Sequence, residues 1–297
     1  MLTLTLLLLA TLDTTAQART VTVGPGEQLR TTIVGDGAEP VVFIAGIFGG
    51  AFGYRHLTTP LAELGYRCIV IEPLGFGFSS HPSKSDYSFT AQADRIGAVL
   101  DSLGVTHAIV IAQSSASSMA YRLAYRRPEL VRGVLSISGG PAETPATPVL
   151  KRSLRFGGFL TKLVVGKGMI RGKVKKDLIK NSGDTTWVTE QTVGEYTAGQ
   201  AEDVDGAIDG LRRMSQAIEP ESLRERLHEM RVPIRLLVGT APHASAVKED
   251  EIDLMRTQIA DFEVEHIEGS GQYIHEEQPA AVVAAFTRLA ATTSALR

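Results

Sequence analysis

The sequence predicts an α/β fold: a mostly parallel, doubly wound sheet interrupted by a helical insertion. Three observations predict it. Apolar runs recur at 41–45, 68–71, 108–112, 134–137 and 234–238, the last two interrupted only by Ser136 and Arg235. Runs of this length, without polar alternation, fit strands covered on both faces. Helical segments such as 89–103 and 119–127 separate them, and strand-helix alternation implies a parallel sheet whose sites lie at the strand C-termini. The spacing then breaks after Gly139-Gly140-Pro141, and about sixty residues pass without a buried-strand run, too many for a simple loop.

The elements follow in order. Residues 2–12 are strongly apolar and Ala16-Gln17-Ala18 has the small-x-small form of a signal-peptidase site. No Lys or Arg precedes that run, and it is too short to span a bilayer. Residues 1–18 are therefore set apart, either as an export signal or as an N-terminal extension of a cytoplasmic protein. Thr20-Val21-Thr22-Val23 and residues 29–34 alternate around Gly24-Pro25-Gly26, which predicts an antiparallel hairpin. The core is expected over 19–141 and 206–297, with a helical cap over 142–205. That insertion carries Trp187 and the basic residues Lys162, Lys167, Arg171, Lys173, Lys175, Lys176 and Lys180. They read first as a solvated helix face and second as a contact for an anionic surface or acidic substrate.

Composition narrows the partners. The chain has 297 residues, enough for one large domain with an insertion, and a net charge of -3, which argues against nucleic acid because phosphate binding needs surplus base. One cysteine, Cys68 in a strand-like run, excludes an internal disulfide and a multi-cysteine metal site. No dinucleotide fingerprint and no histidine-carboxylate cluster with metal-ligand spacing is present. The expected cofactor set is therefore none, and the expected partner is a small molecule.

The run Ala108-Ile109-Val110-Ile111-Ala112 passes through Gln113-Ser114-Ser115-Ala116 directly into a helix. Such a turn presents one side chain, here Ser114, at its tip and needs small neighbours, here Ala112 and Ala116. With 41–50, 71–79, 103–105, 124–131, 232–239 and 269–279 in matching order, the chain from Arg19 to Leu289 resembles the α/β-hydrolase superfamily. The resemblance makes Ser114 the nucleophile position and assigns an oxyanion hole to the backbone amides of Ile47 and Ser115. It also places Phe48, Trp187 and Tyr273 around a pocket for an apolar carbonyl compound.

The same resemblance exposes departures. The position for the catalytic histidine is Gln272, which cannot accept a proton at useful pH. The acid position, three residues after Gly239, is Pro242, and the residue that often opens the oxyanion loop as histidine is Ala45. His275, three residues beyond Gln272, and His243, next to Pro242, are the candidates for a displaced base. Glu143, just after the sixth strand, is a candidate acid. Three readings follow: an ester or lactone hydrolase using Ser114 with His275 or His243, a non-hydrolytic lyase, cyclase or decarboxylase using the oxyanion hole with Ser114 and Gln272, or a binding protein without turnover.

Overall fold

The computed structural model describes residues 15–144 and 167–295. Strands β1 (Gln17–Gly24) and β2 (Glu27–Val34) form an antiparallel hairpin, and β2 pairs antiparallel with β4 (Tyr66–Ile71). From β4 onward every pairing is parallel, through β3 (Glu39–Ile44), β5 (Ala108–Gln113), β6 (Val131–Ile137), β7 (Ile234–Gly239) and β8 (Phe262–Ile267). The strand order is β1-β2-β4-β3-β5-β6-β7-β8. The expected doubly wound sheet with an antiparallel hairpin at one edge is thus what forms. Residues 1–14, which hold the apolar run, lie outside the described residues.

Strand alternation explains the apolar runs. Val42, Ile44, Val110, Ala112, Val134 and Leu236 pack on one face of the sheet, against α2 (Phe89–Ser102) and α3 (Ala116–Arg126). Val41, Phe43, Ile109, Ile111, Leu135 and Leu237 pack on the other, against α1 (Arg55–Glu63) and the C-terminal helix Pro279–Ser294. Each side chain removed from water contributes roughly 1.5–3 kcal/mol when large and apolar, and here both faces gain it. A strand buried on two sides favours apolar residues at successive positions, and the buried Ser136 of β6 is accommodated by donating to the Gly139 carbonyl at 2.7 Å.

Between β6 and β7 lie α4 (Lys167–Lys180), α5 (Glu190–Tyr196), α6 (Ala198–Glu202) and α7 (Val204–Gln216). Helix α7 runs through residue 205, where the insertion was expected to end. Its start is set by Asp203, whose carboxylate accepts from the Gly206 amide at 2.9 Å. A short helix α8 (Leu223–Arg226) precedes β7 and completes the return to the sheet; after β7 come α9 (Glu249–Gln258), the one-turn α10 (Ile274–Glu277) and α11, the C-terminal helix named above. Loops leaving β3, β5, β6, β7 and β8 converge at the strand C-termini, beneath the inserted helices.

Candidate active site

Ser114 directly follows β5 and sits at a strand-to-helix turn with φ 54°. This left-handed conformation costs an L-residue roughly 1–2 kcal/mol, so the surroundings must impose it. They do: the Ser114 amide donates to the Ile137 carbonyl at 2.9 Å, and its carbonyl accepts from the Ser117 amide at 3.1 Å. The approach of the neighbouring strand end is as tight. A Cβ on Gly139 would meet Ser117 Oγ at 2.1 Å and the Ser114 carbonyl at 2.4 Å, so only glycine fits there. Ala112 and Ala116 are fully packed at this turn, where larger side chains would force strand and helix apart.

The tip of the turn opens into a cavity of about 140 Å³. Ile47, Phe48, Tyr54, Tyr196, Tyr273 and His275 form much of its wall, with Ser114, Ser115 and Gln272 at its base. Ile47 and Ser115, the residues expected to supply amide donors, both line this space. Backbone donors in this position can hold a carbonyl oxygen or oxyanion whatever the side chains are.

Gln272 stands beside the serine. Its Nε2 donates to Ser114 Oγ at 3.0 Å, and among the described residues it is the side chain hydrogen-bonded to that hydroxyl. The residue is only 7% exposed, and its Oε1 is buried without a protein partner. The loop that carries it is fixed from both sides. The Gln272 amide donates to the Asn181 carbonyl at 2.7 Å, and Gln113 Nε2 donates to the Gln272 carbonyl at 3.4 Å. Glu277 accepts from the amides of Gly183, Asp184 and Gly271 at 2.8–3.1 Å, tying the inserted segment to the same loop.

The candidate bases are placed differently from one another. His275 lines the cavity but makes no hydrogen bond to Ser114; its ring lies 5.6 Å from that of Tyr54 and 6.2 Å from that of Tyr273. Burial pushes its pKa down to about 4, more than the nearby Glu276 carboxylate restores. At neutral pH it is an uncharged ring. His243 stands outside the cavity wall, toward Glu277. Desolvation lowers its pKa as well, against the pull of that carboxylate. Glu143 is engaged elsewhere: it pairs with the fully buried Arg122 and accepts from Ser222 Oγ at 3.2 Å. Trp187 does not face the cavity but stacks behind it, 5.4 Å from the Tyr273 ring and 5.7 Å from that of Tyr196.

Several residues here were not picked out from sequence. Tyr54, Gln113, Asp177 and Tyr196 all contribute to the cavity wall. Gln113 adjoins the turn tip and could have been inferred from that alone. Asp177 and Tyr196 arrive from the insertion, whose fold has no motif to announce it. Beneath the wall, Glu276 is held bidentate by Arg55 at 2.7 and 2.9 Å and receives the Tyr196 hydroxyl at 2.6 Å. Burial, then the carboxylate beside it, raises the Tyr196 pKa, so the phenol remains a donor. Among the described residues no group of three or more His, Cys, Asp or Glu is placed to hold a metal ion, and no helix is long and apolar enough to cross a membrane.

Comparisons with known proteins agree with this geometry at the level of fold. A family model described as "alpha/beta hydrolase fold" matches residues 39–164. Bifunctional epoxide hydrolase 2 of Mus musculus is 32% identical over 119 residues, covering 40% of this chain and 21% of that enzyme. The cis-3-alkyl-4-alkyloxetan-2-one decarboxylase of Shewanella oneidensis is 30% identical over 137 residues, covering 45% of this chain and 42% of that one. The matched stretch thus spans less than half the length of either relative. Among solved structures, the epoxide hydrolase CorEH superposes with a TM-score of 0.78 at 15% identity, over 95% of this chain and 100% of that one. The haloalkane dehalogenase DbeA of Bradyrhizobium elkani gives 0.76 at 23%, over 95% and 100%.

Proposed function

The chain belongs to the α/β-hydrolase superfamily, and from that premise we propose that its Ser114 cavity binds a small, largely apolar carbonyl compound and polarises it without forming an acyl-enzyme. The inserted helices act as the cap over that cavity. The observation that carries the reading is the 3.0 Å hydrogen bond from Gln272 Nε2 to Ser114 Oγ. An amide N–H placed on the hydroxyl oxygen cannot remove its proton, so the serine is not activated as a nucleophile. It does leave the Ser114 proton free to be donated. With the amides of Ile47 and Ser115, three donors then converge on one acceptor oxygen. Such a site stabilises negative charge developing on a carbonyl oxygen, the requirement of enolate-forming lyase, cyclase or decarboxylase chemistry. The Shewanella relative is by name a decarboxylase of an oxetan-2-one, which supports the non-hydrolytic class.

Hydrolysis of an ester or lactone, with Ser114 attacking and His275 as a displaced base, is the second reading. What favours it is that His275 lines the same cavity. What weighs against it is the pKa of about 4, which makes the ring a poor proton acceptor for a serine hydroxyl at neutral pH. A binding protein without turnover is the third reading; it shares the donor set and differs only in lacking chemistry after binding.

A fluorophosphonate probe with intact-mass readout separates the first two. Folded wild-type protein is expected to stay unlabelled, and labelling at Ser114 that disappears in Ser114→Ala would overturn the proposal. Crystals soaked with a medium-chain methyl ketone are expected to show its oxygen against the amides of Ile47 and Ser115. A ketone bound elsewhere would overturn the assignment of these amides as its donors.

A further inference from the structure

Helix α4 carries six basic residues and one acid in its fourteen positions, in a chain whose net charge is -3. Its two faces do different things. Val174 and Leu178 are buried against Tyr196 and Tyr273, the aromatic wall of the Ser114 cavity. Asp177 lines the cavity itself and accepts from the Tyr273 hydroxyl at 3.2 Å. On the flank, Lys175 pairs with Glu190, and Arg171 donates to the Glu190 carbonyl at 3.2 Å. The outer face is left with Lys173, Lys176 and Lys180, all exposed and none in an ion pair among the described residues. Their three- and four-residue spacing puts them in one row. Ile179, 43% exposed, stands next to that row.

We propose that this outer face of α4 is a docking surface for an anionic lipid bilayer. Three unpaired lysines in a row match a plane of negative headgroups, each adding attraction that decays within a Debye length. An exposed isoleucine amid lysines is poorly placed in water but suits the headgroup-acyl boundary. An acidic protein would satisfy the lysines and leave that side chain unexplained. The inner face of the helix stays packed on the cavity wall, so the contact is peripheral and salt-sensitive rather than inserted. Docking in this orientation keeps the cavity within one helix of the lipid surface, where apolar carbonyl compounds concentrate. The surface stands independently of which reaction Ser114 supports.

The test is co-sedimentation of the full chain with phosphatidylcholine vesicles, with and without phosphatidylserine. Binding is expected only with the anionic lipid and is expected to fall steeply at high salt. The triple variant Lys173→Glu, Lys176→Glu, Lys180→Glu should weaken it about 100-fold, with its thermal transition unchanged. Lys84→Glu, Arg231→Glu, Lys248→Glu makes the same charge change elsewhere and should bind much more tightly than the α4 triple variant. No binding to anionic vesicles would overturn the proposal, as would equal loss in the two triple variants. Equal binding to neutral vesicles would also overturn it, by assigning adhesion to another segment, such as the apolar residues 2–12. So would capture by polyglutamate beads without binding to vesicles, which would assign the face to an acidic protein.

Discussion

At the scale of single residues, the site turns on which group faces the Ser114 hydroxyl, and the structure places an amide there. Replacing Gln272 by histidine would put a proton acceptor on the loop position from which Nε2 now reaches Oγ at 3.0 Å. A positioned general base contributes 10²–10⁴-fold. With Pro242 still at the acid position the ring lacks its orienting partner, so Gln272→His is expected to raise the rate of fluorophosphonate labelling by roughly 10–100-fold over wild type. Adding Pro242→Asp should raise it further. Pseudo-first-order labelling rates followed by mass spectrometry measure both, and a Gln272→His rate equal to wild type would show that the base is not what Ser114 lacks. The facing pair was legible in the sequence, because Ser114 and Gln272 sit in short motifs whose order fixes their meeting. The remaining side chains were not. Nothing local to Glu143 reveals that Arg122 binds it from the elbow helix, 21 residues away, and nothing near Trp187 distinguishes a cavity wall from the layer behind it.

At the scale of elements, the sheet was readable because a strand buried on two faces favours a nearly continuous apolar run. Its boundaries shift by only a few residues, as with 41–45 against Glu39–Ile44. The insertion was readable only as an absence of such runs, because its helices pack through a few scattered side chains, Tyr196, Val174, Leu178 and Val193 among them. What joins it to the core is a buried polar clamp between residues far apart in sequence: Arg55 of α1, Glu276 of α10 and Tyr196 of α5. The Glu276 side chain is 0% exposed and that of Arg55 29%. Removing one partner leaves an uncompensated buried charge, which costs more than the pair contributes when intact. Arg55→Ala is therefore expected to destabilise by about 3 kcal/mol, part of it from the guanidinium stacked 3.9 Å over Phe52. Tyr196→Phe removes one hydrogen bond to a charged acceptor and should cost about 1–2 kcal/mol. Urea midpoints give both values. The two changes should not add, because they share Glu276, and additivity within error would show that the three groups do not act as one clamp.

At the scale of the whole molecule, the histidines make folding sensitive to mild acid. His275 is buried between the rings of Tyr54 and Tyr273, and its pKa is pushed down to about 4 from an ordinary value of 6.5. Burial also lowers that of His81 against the nearby Asp203, and that of His243 against Glu277. A histidine held neutral in the folded state and free to ionise in the unfolded chain gives the unfolded state more bound protons between the two pKa values. The stability contributed is then complete above about pH 6.5 and lost as pH falls toward 4. For His275 alone the loss between pH 7 and pH 5 is about 2 kcal/mol. The partly buried His81 and His243 act in the same direction with smaller, solvent-screened effects. Carboxylates paired in the native state, such as Glu27 with Arg95, are lost at lower pH and do not account for this window. Urea unfolding at pH 7, 6 and 5 should therefore show a falling midpoint. His275→Phe, which keeps an aromatic ring between Tyr54 and Tyr273, should remove most of the slope while leaving the pH 7 midpoint close to wild type. A slope that survives the substitution unchanged would place the acid sensitivity outside the cavity wall.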